Sequence, residues 1–379
     1  MKNIHRRLIP LLPLKDFSHQ QRRNLVNVKL KWVKDRSLDF AVKGQRDLKS
    51  AHTLMSIIAS SPHRSLPFPS LSLCRKRLDL PACVRVSSFL RRYPNVFVEE
   101  SPINTGVPSF HLSPAAEELR REEDAATSHH TGEILNNLTK LLMLTNTQTL
   151  PLQTIDQLRY DIGLPYDYSN TLLPNHLNLF EFVTLPDNRV GLKLRSWDSS
   201  LAVSALERSS SDSTQGDPLG FPIRFTRGYG LKKKCIAWLQ EWQRLPYTSP
   251  YSDPSHLDRR TDVSEKRIVG VFHELLHLTL RKQTERKNVS NLRKAFSLPQ
   301  KFTVVFERHP GIFYISKKDD TQTVVLREAY DGRQLLVKHP LVDIRERLAS
   351  MMRQGFLDRS RGLYKKSNIH DDKQLIESL

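Results

Sequence analysis

Several classes of protein are excluded by what this chain of 379 residues has little of. Its three cysteines form neither a C-x-x-C pair nor an even set, so a disulfide framework is not expected and a reducing compartment is indicated. No apolar run approaches the roughly 18 residues of a membrane-spanning helix, and no membrane partner is expected. The glycine-rich phosphate-binding motifs and the G-x-S-x-G motif of hydrolases are also missing.

Acidic residues are also fewer than basic ones. The chain has 59 Lys and Arg against 40 Asp and Glu, which gives a formal net charge of +19. A surplus of this size favours a polyanionic partner, above all nucleic acid, because contacts to phosphates supply affinity that does not depend on base sequence. The alternative is a basic protein whose charge reflects only its compartment.

The N-terminus is basic and almost free of acids. Residues 1–34 hold nine Lys and Arg and one acid, Asp16. They contain no apolar stretch followed by a small-residue cleavage site, which a secretory signal would need. The composition is typical of an organellar transit peptide, and we predict one over residues 1–27. The alternative is a basic arm on a nuclear or cytosolic protein.

Three helix-like runs that end in Leu-Pro indicate an internal repeat. They are LSLCRKRLDLP (71–81), IDQLRYDIGLP (155–165) and VSNLRKAFSLP (289–299), and they align without gaps at offsets of 84 and 134. Their apolar residues recur at i, i+3 and i+7, which is one face of a helix. An aromatic residue and a hairpin-like pair of strands follow. The predicted fold is therefore α+β and mostly helical, with repeated winged-helix-like units.

We place the repeat units at about 45–115, 131–206 and 265–350. Residues 353–379 are expected to form a loose C-terminal tail.

The segment VFHELLHLTL contains the motif H-E-x-x-H at His273, Glu274 and His277. On a helix, two such histidines share one face and can hold Zn²⁺, while the glutamate acts as general base. This spacing raises the hypothesis of a zinc metalloprotease.

The repeat argues against that hypothesis. The same offsets align HELLHLT with TKLLMLT (139–145) and MSIIASS (55–61), so the apolar pair Leu275 and Leu276 is expected to face the core. A catalytic zinc also needs a third protein ligand, and neither Glu285 nor Glu307 is convincingly placed downstream. We therefore predict a structural helix with no metal site, and keep the metalloprotease, or a surface metal site, as remote alternatives.

Residues 221–251, FPIRFTRGYGLKKKCIAWLQEWQRLPYTSPY, interleave aromatic and basic side chains. Cations bind phosphates and flat rings stack on unpaired bases, so this mixture suits single-stranded RNA. The i, i+4 spacing of Trp238 and Trp242 also suits burial in a core, which is the more common location of such a pair. Residues 28–49 form a second basic region, which is either an RNA-binding face or an ordinary solvated one. The candidate RNA-binding residues are Lys31, Lys34, Arg36, Arg224, Arg227, Lys232, Lys233, Lys234, Trp238 and Trp242.

Several stretches together resemble the plant organelle RNA recognition (PORR) family. They are KWVKDRSLDFAV, RRYPNVF, RHPGIF, FTRGYGLKKKCIAWLQEWQRLPYTSPY and VGVFHELLHLTLRKQTERKNVSNLRKAF. The resemblance extends over about residues 28–352. It implies RNA binding in plant mitochondria or chloroplasts, a role in splicing group II introns, and import through a transit peptide. It offers no catalytic residues.

We therefore expect a non-enzymatic RNA-binding splicing factor that needs no cofactor. Its partners would be organellar intron RNA and other splicing factors in a ribonucleoprotein complex. The short leader with its arginines favours the mitochondrion over the chloroplast. An organellar DNA-binding or transcription factor is the first rival, because winged-helix-like units also bind duplex DNA.

Overall fold

The structure is a computed structural model that describes residues 30–101, 107–210, 219–226, 228–229, 231–318 and 321–362. The predicted transit peptide (1–27), Arg227 and the end of the predicted tail lie outside the described residues. None of the described helices combines the length and the apolar character needed to cross a bilayer.

The first segment combines four helices with a small antiparallel sheet. Its elements are α1 (Arg36–Val42), α2 (Gln45–Ser60), β1 (Ser65–Pro67), α3 (Leu71–Cys74), α4 (Val86–Arg92), β2 (Phe97–Glu100) and β3 (Ser109–Leu112). Helix α1 begins after Asp35, whose carboxylate accepts hydrogen bonds from the backbone of Ser37 and Leu38. In the sheet, β3 lies between the other two strands and pairs Phe110 with Leu66 and with Glu99.

The second segment repeats this order after a connecting helix. Its elements are α5 (Pro114–His129), α6 (Thr131–Met143), β4 (Thr149–Pro151), α7 (Leu152–Ile162), α8 (Tyr168–Thr171), β5 (Phe180–Thr184), β6 (Val190–Leu194) and α9 (Ala205–Ser209). Ser113 caps α5, and Pro114 occupies the first helical position, where a missing N–H costs nothing. The last strand again occupies the centre, so that Leu192 pairs with Leu150 and with Phe182.

The third segment contains the H-E-x-x-H helix and ends in the longest helix. Its elements are α10 (Lys233–Gln243), α11 (Asp262–Leu278), β7 (Gln283–Glu285), α12 (Arg286–Asn291), α13 (Val304–Arg308), β8 (Phe313–Ser316), β9 (Thr323–Leu326), β10 (Tyr330–Asp331), β11 (Gln334–Leu335) and α14 (Pro340–Ser360). Short 3-10 turns cover Phe68–Ser70, Arg75–Arg77, Leu173–His176 and Arg327–Ala329. Strand β9 lies between β7 and β8.

The predicted class, α+β and mostly helical, is confirmed by these elements. Each three-stranded sheet has its third strand in the middle, and a residue in the left-handed region directly precedes its first strand. These residues are Arg64 (φ 48°), Gln148 (φ 53°) and Lys282 (φ 53°), 84 and 134 residues apart, the offsets that align the Leu-Pro runs. A residue with a Cβ is strained in this region of backbone conformation. The recurrence of such a residue before the first strand of all three sheets therefore indicates a common turn. We propose on these grounds that the three segments are copies of one unit.

Two hydrophobic clusters form the interior. The larger joins α1, the second segment and the third segment, whereas the smaller is built from the first segment, from Ala116 and Leu119 of α5, and from Ile344, Leu348 and Met352 of α14. Helix α14 therefore bridges the two clusters. It continues to Ser360, so the predicted tail boundary at residue 353 falls inside a helix. The reason is packing, because Gly355 is buried against Asn95.

Candidate nucleic-acid interface

Residues 30–36 lie on the sheet of the third segment. The Trp32 indole donates a hydrogen bond to the carbonyl of Ile315 at 3.1 Å, and the backbone N–H of Asp35 donates to the Tyr314 hydroxyl at 3.1 Å. The same hydroxyl donates to Asp39 at 2.9 Å. These bonds fix the start of the described chain against β8.

The second basic stretch runs beside the first. Arg327 is almost fully buried and donates to the Asp35 carboxylate at 2.8 Å and to the Tyr229 hydroxyl at 3.2 Å, so one side chain holds both stretches. Val33 lies next to Gly228, whose φ of 101° suits glycine. Two basic stretches that are distant in the sequence are therefore held next to each other.

Trp32 presents a flat ring among cations on this face. Its side chain is 41% exposed, and its ring stacks on Tyr314 with centroids 6.2 Å apart. The ammonium of Lys317 lies 4.8 Å from the centre of the indole. The predicted residues Lys31, Lys34 and Arg36 are exposed and lie within four residues of Trp32 in the sequence. We call Lys31, Trp32, Lys34, Arg36 and Lys317 the Trp32 surface. The sequence prediction missed Trp32 and Lys317, although the motif KWVK already placed a tryptophan between two lysines.

The three lysines Lys232, Lys233 and Lys234 stand exposed at the N-terminus of α10. A helix N-terminus carries partial positive charge, so a cation there costs roughly 0.3–1 kcal/mol. The first turn of α10, all of it among the described residues, contains no acidic side chain to offset this cost. The arrangement disfavours the free helix and suits a bound phosphate.

Arg224 has a partly structural role. Its side chain is exposed, but one guanidinium nitrogen donates to the carbonyl of Tyr330 at 3.0 Å, and its backbone N–H donates to Gly311 at 2.8 Å. A Cβ at Gly311 would come within 2.5 Å of Ile223, so the chain can pass here only because residue 311 is glycine. Arg227, the other predicted arginine of this stretch, lies outside the described residues.

The two predicted tryptophans are not part of an exposed surface. Trp238 is 6% exposed and Trp242 is 1% exposed, and their rings pack on His309 at centroid distances of 5.5 and 4.2 Å. The i, i+4 spacing puts both rings on the inward face of α10. The prediction that they stack on RNA is therefore wrong, and the alternative of core packing holds.

The glutamate of H-E-x-x-H is engaged elsewhere in the fold. Glu274 is fully buried and accepts hydrogen bonds from Tyr251 at 2.7 Å and from the backbone of Ala205 at 2.6 Å, and Lys140 lies 2.7 Å away. Burial favours the neutral acid, but Lys140 outweighs it and lowers the pKa of Glu274. With its oxygens held by these groups, Glu274 is not placed to activate water at the two histidines, which removes the geometric basis for a metalloprotease.

The sequence prediction considered Glu285 and Glu307 as partners of the histidine pair and missed Glu328. The Nε2 atoms of His273 and His277 both lie 2.8 Å from Oε1 of Glu328, in the turn after β9. Burial alone would raise the pKa of Glu328, but the hydrogen bonds from the two imidazoles lower it to about 2. Glu328 lies 51 residues after His277 in the sequence. It comes close to α11 because its turn directly follows β9, the central strand of the three-stranded sheet in the third segment.

Comparison with known proteins agrees with the resemblance found in the sequence. Residues 33–357 match the plant organelle RNA recognition domain. The chain is 34% identical to Protein WHAT'S THIS FACTOR 9, mitochondrial, of Arabidopsis thaliana, over 89% of this chain and 88% of that one. It is 32% identical to Protein WHAT'S THIS FACTOR 1, chloroplastic, of Zea mays, over 84% and 66%, and 27% identical to Protein ROOT PRIMORDIUM DEFECTIVE 1 of Arabidopsis thaliana, over 84% and 82%.

No solved structure is detectably similar to the chain. The predicted organellar location agrees with the names of these relatives, one mitochondrial and one chloroplastic. A domain match that covers most of the chain, joined to full-length similarity at 34% identity, settles the family. The chain belongs to the plant organelle RNA recognition family.

Proposed function

We propose that this protein binds intron RNA in plant mitochondria and promotes the splicing of group II introns, with the chloroplast as the alternative location. The observation that carries the proposal is the Trp32 surface, where an exposed indole contacts Lys317 and is flanked in the sequence by the exposed residues Lys31, Lys34 and Arg36. The lysines Lys232 to Lys234 extend the positive charge along the neighbouring stretch. Family membership supports the choice of RNA as the polyanion.

The chemistry of this surface suits an unpaired base flanked by phosphates. A base that stacks on Trp32 gains about 1–3 kcal/mol. It must displace Lys317, whose attraction to the ring contributes about 0.5–1 kcal/mol at an exposed site. Stacking is the stronger of the two interactions, and the displaced ammonium is then free to contact a phosphate. The protein would hold the intron in a conformation competent for folding and leave the chemistry to the RNA, with other splicing factors as further partners.

The rival proposal, duplex DNA binding, draws support from the winged-helix order of the three segments. In such modules the helix before the hairpin enters the major groove. The equivalent helices here are α4, α8 and α13, of seven, four and five residues, so α8 and α13 are only about 6–8 Å long. Arg308 of α13 also turns inward to Glu265, at 2.9 Å. We therefore favour RNA.

Replacing Trp32 with alanine should weaken binding to single-stranded RNA by roughly 5–150-fold, the equivalent of about 1–3 kcal/mol of lost stacking. Fluorescence anisotropy with a labelled group II intron fragment measures the change. Trp197 provides the matched control, because it is 39% exposed, follows β6 of the second segment and is not among the residues of the Trp32 surface. A Trp197→Ala variant should bind like the parent. Equal affinities for the parent and Trp32→Ala would remove Trp32 from the interface.

A further inference from the structure

We propose that His273, His277 and Glu328 form a binding site for a divalent transition metal ion, with Zn²⁺ as the best-suited ion. Two imidazoles and a carboxylate are a ligand set that Zn²⁺ prefers. One nitrogen or oxygen from each of the three residues lies within 4.8 Å of the other two, close enough to share one ion. Such an ion would stabilise the fold whether or not the protein binds RNA.

The geometry needs only a small adjustment. Zinc bonds to histidine and carboxylate are about 2.0–2.2 Å long, so ligand atoms around a tetrahedral ion stand about 3.4 Å apart. Both Nε2 atoms now lie 2.8 Å from Glu328 Oε1, so each need move by less than about 1 Å. Each imidazole must then carry its proton on Nδ1, since a metal takes the lone pair of a bare nitrogen.

An unsatisfied atom points to the same ion. Oε2 of Glu328 is buried and has no hydrogen-bond partner among the described residues. A buried carboxylate oxygen without a partner is costly and calls for an explanation. A carboxylate that binds the ion through both oxygens would satisfy Oε2 and supply the fourth donor atom. The site is also reachable, because the side chain of His277 is 25% exposed.

The surrounding charge does not forbid a dication. Lys282 lies close by, where its ammonium donates to the carbonyl of His277 at 2.6 Å. Glu133 and Glu274 attract the ammonium of Lys282, whereas Arg208 repels it. Lys140 is already paired with Glu274. Among the described residues Glu328 is paired only with the two imidazoles, so its carboxylate charge is available to the ion.

The role of the ion would be structural, because Glu274 is turned away and cannot serve as its general base. It would clamp α11 to the turn Arg327–Ala329. That turn also carries Arg327, the residue that holds Asp35 and Tyr229. A single ion would thus fix the element that supports both basic stretches.

Cobalt titration of the metal-stripped full chain tests the proposal, since Co²⁺ absorbs visible light in zinc sites. We expect one Co²⁺ per chain, displaced by Zn²⁺, and a higher melting temperature with Zn²⁺. His277→Ala and Glu328→Gln should each lower the Co²⁺ affinity at least about tenfold, in line with the sensitivity of metal sites to changes in their supporting groups. The exposed His256 gives the control variant His256→Ala, which should bind as the parent does.

A second group, His130, Glu133 and His339, could also bring three ligands together. A His339→Ala variant separates the two, because it should keep the Co²⁺ absorption under our proposal. Absorption that survives in both His277→Ala and Glu328→Gln would place the metal elsewhere. The absence of stoichiometric Co²⁺ or Zn²⁺ binding by the parent would reduce the three side chains to a hydrogen-bonded cluster. Circular dichroism confirms that each variant is folded.

Discussion

Replacing Glu123 with alanine should lower the free energy of unfolding by about 3–5 kcal/mol, because it leaves a buried guanidinium without its counter-ion. Glu123 of α5 is buried, and Arg345 of α14 donates to it at 3.0 Å. His52 of α2 contacts the other carboxylate oxygen at 2.9 Å. Burial opposes ionisation of Glu123, but His52 and Arg345 outweigh it and hold its pKa well below the usual range.

Asp161 also attracts Arg345 electrostatically, but among the described residues only Glu123 forms an ion pair with it. Arg345 is itself buried, with its guanidinium over the ring of Tyr160 at 4.0 Å and a hydrogen bond to the Tyr160 carbonyl at 2.8 Å. Neither contact supplies a negative charge. Because α2, α5 and α14 meet at this point, the substitution should loosen the first segment from the rest.

Urea unfolding followed by circular dichroism measures the effect. Glu118 lies on the same helix and pairs with Arg121 at the surface, so it gives a matched control. An exposed pair contributes about 0–1 kcal/mol, and Glu118→Ala should change the unfolding midpoint very little. If Glu123→Ala is no more destabilising than Glu118→Ala, the buried ion pair does not hold these helices together.

Replacing Lys232, Lys233 and Lys234 together with glutamate should weaken RNA binding at least about tenfold and make it less sensitive to salt. Each phosphate contact contributes about 0.7 to the slope of log affinity against log salt for a single strand, so losing three contacts lowers the slope by about 2. The new carboxylates also repel phosphate. At the N-terminus of α10 they suit the helix better than lysine does, so the variant should remain folded.

Affinity measured at several salt concentrations separates this effect from misfolding. A control of equal charge change replaces Arg189, Lys193 and Arg195 with glutamate, three exposed residues on or beside β6 of the second segment. It should alter the slope much less. Equal losses in the two triple variants would mean that general charge, and not the helix N-terminus, governs binding.

The periodic features of the fold could be predicted from the sequence. The alignment of the H-E-x-x-H segment with two other stretches predicted a helix whose core face is Leu275 and Leu276, and both are buried in α11. The i, i+4 spacing of Trp238 and Trp242 offered burial as an alternative, which the fold adopts. Spacing along one helix is a local property, so it can be read before the fold is known.

Contacts between distant parts of the chain could not be predicted. Glu328 reaches the two histidines only because β9 occupies the centre of its sheet and the next turn lies against α11. Trp32 joins a basic surface only because Arg327 holds Asp35 beside Tyr229. Neither contact follows a periodic pattern in the sequence. Each joins residues that only the tertiary fold brings together.

RNA binding is tested most sharply by comparing the affinity of the full chain for a single-stranded group II intron fragment with its affinity for duplex DNA of matched sequence, across a range of salt concentrations. We expect tighter binding to RNA, an affinity that falls steeply with salt, and a preference that shrinks when Trp32 is replaced by alanine. Equal or tighter binding to the DNA duplex would contradict the proposed function.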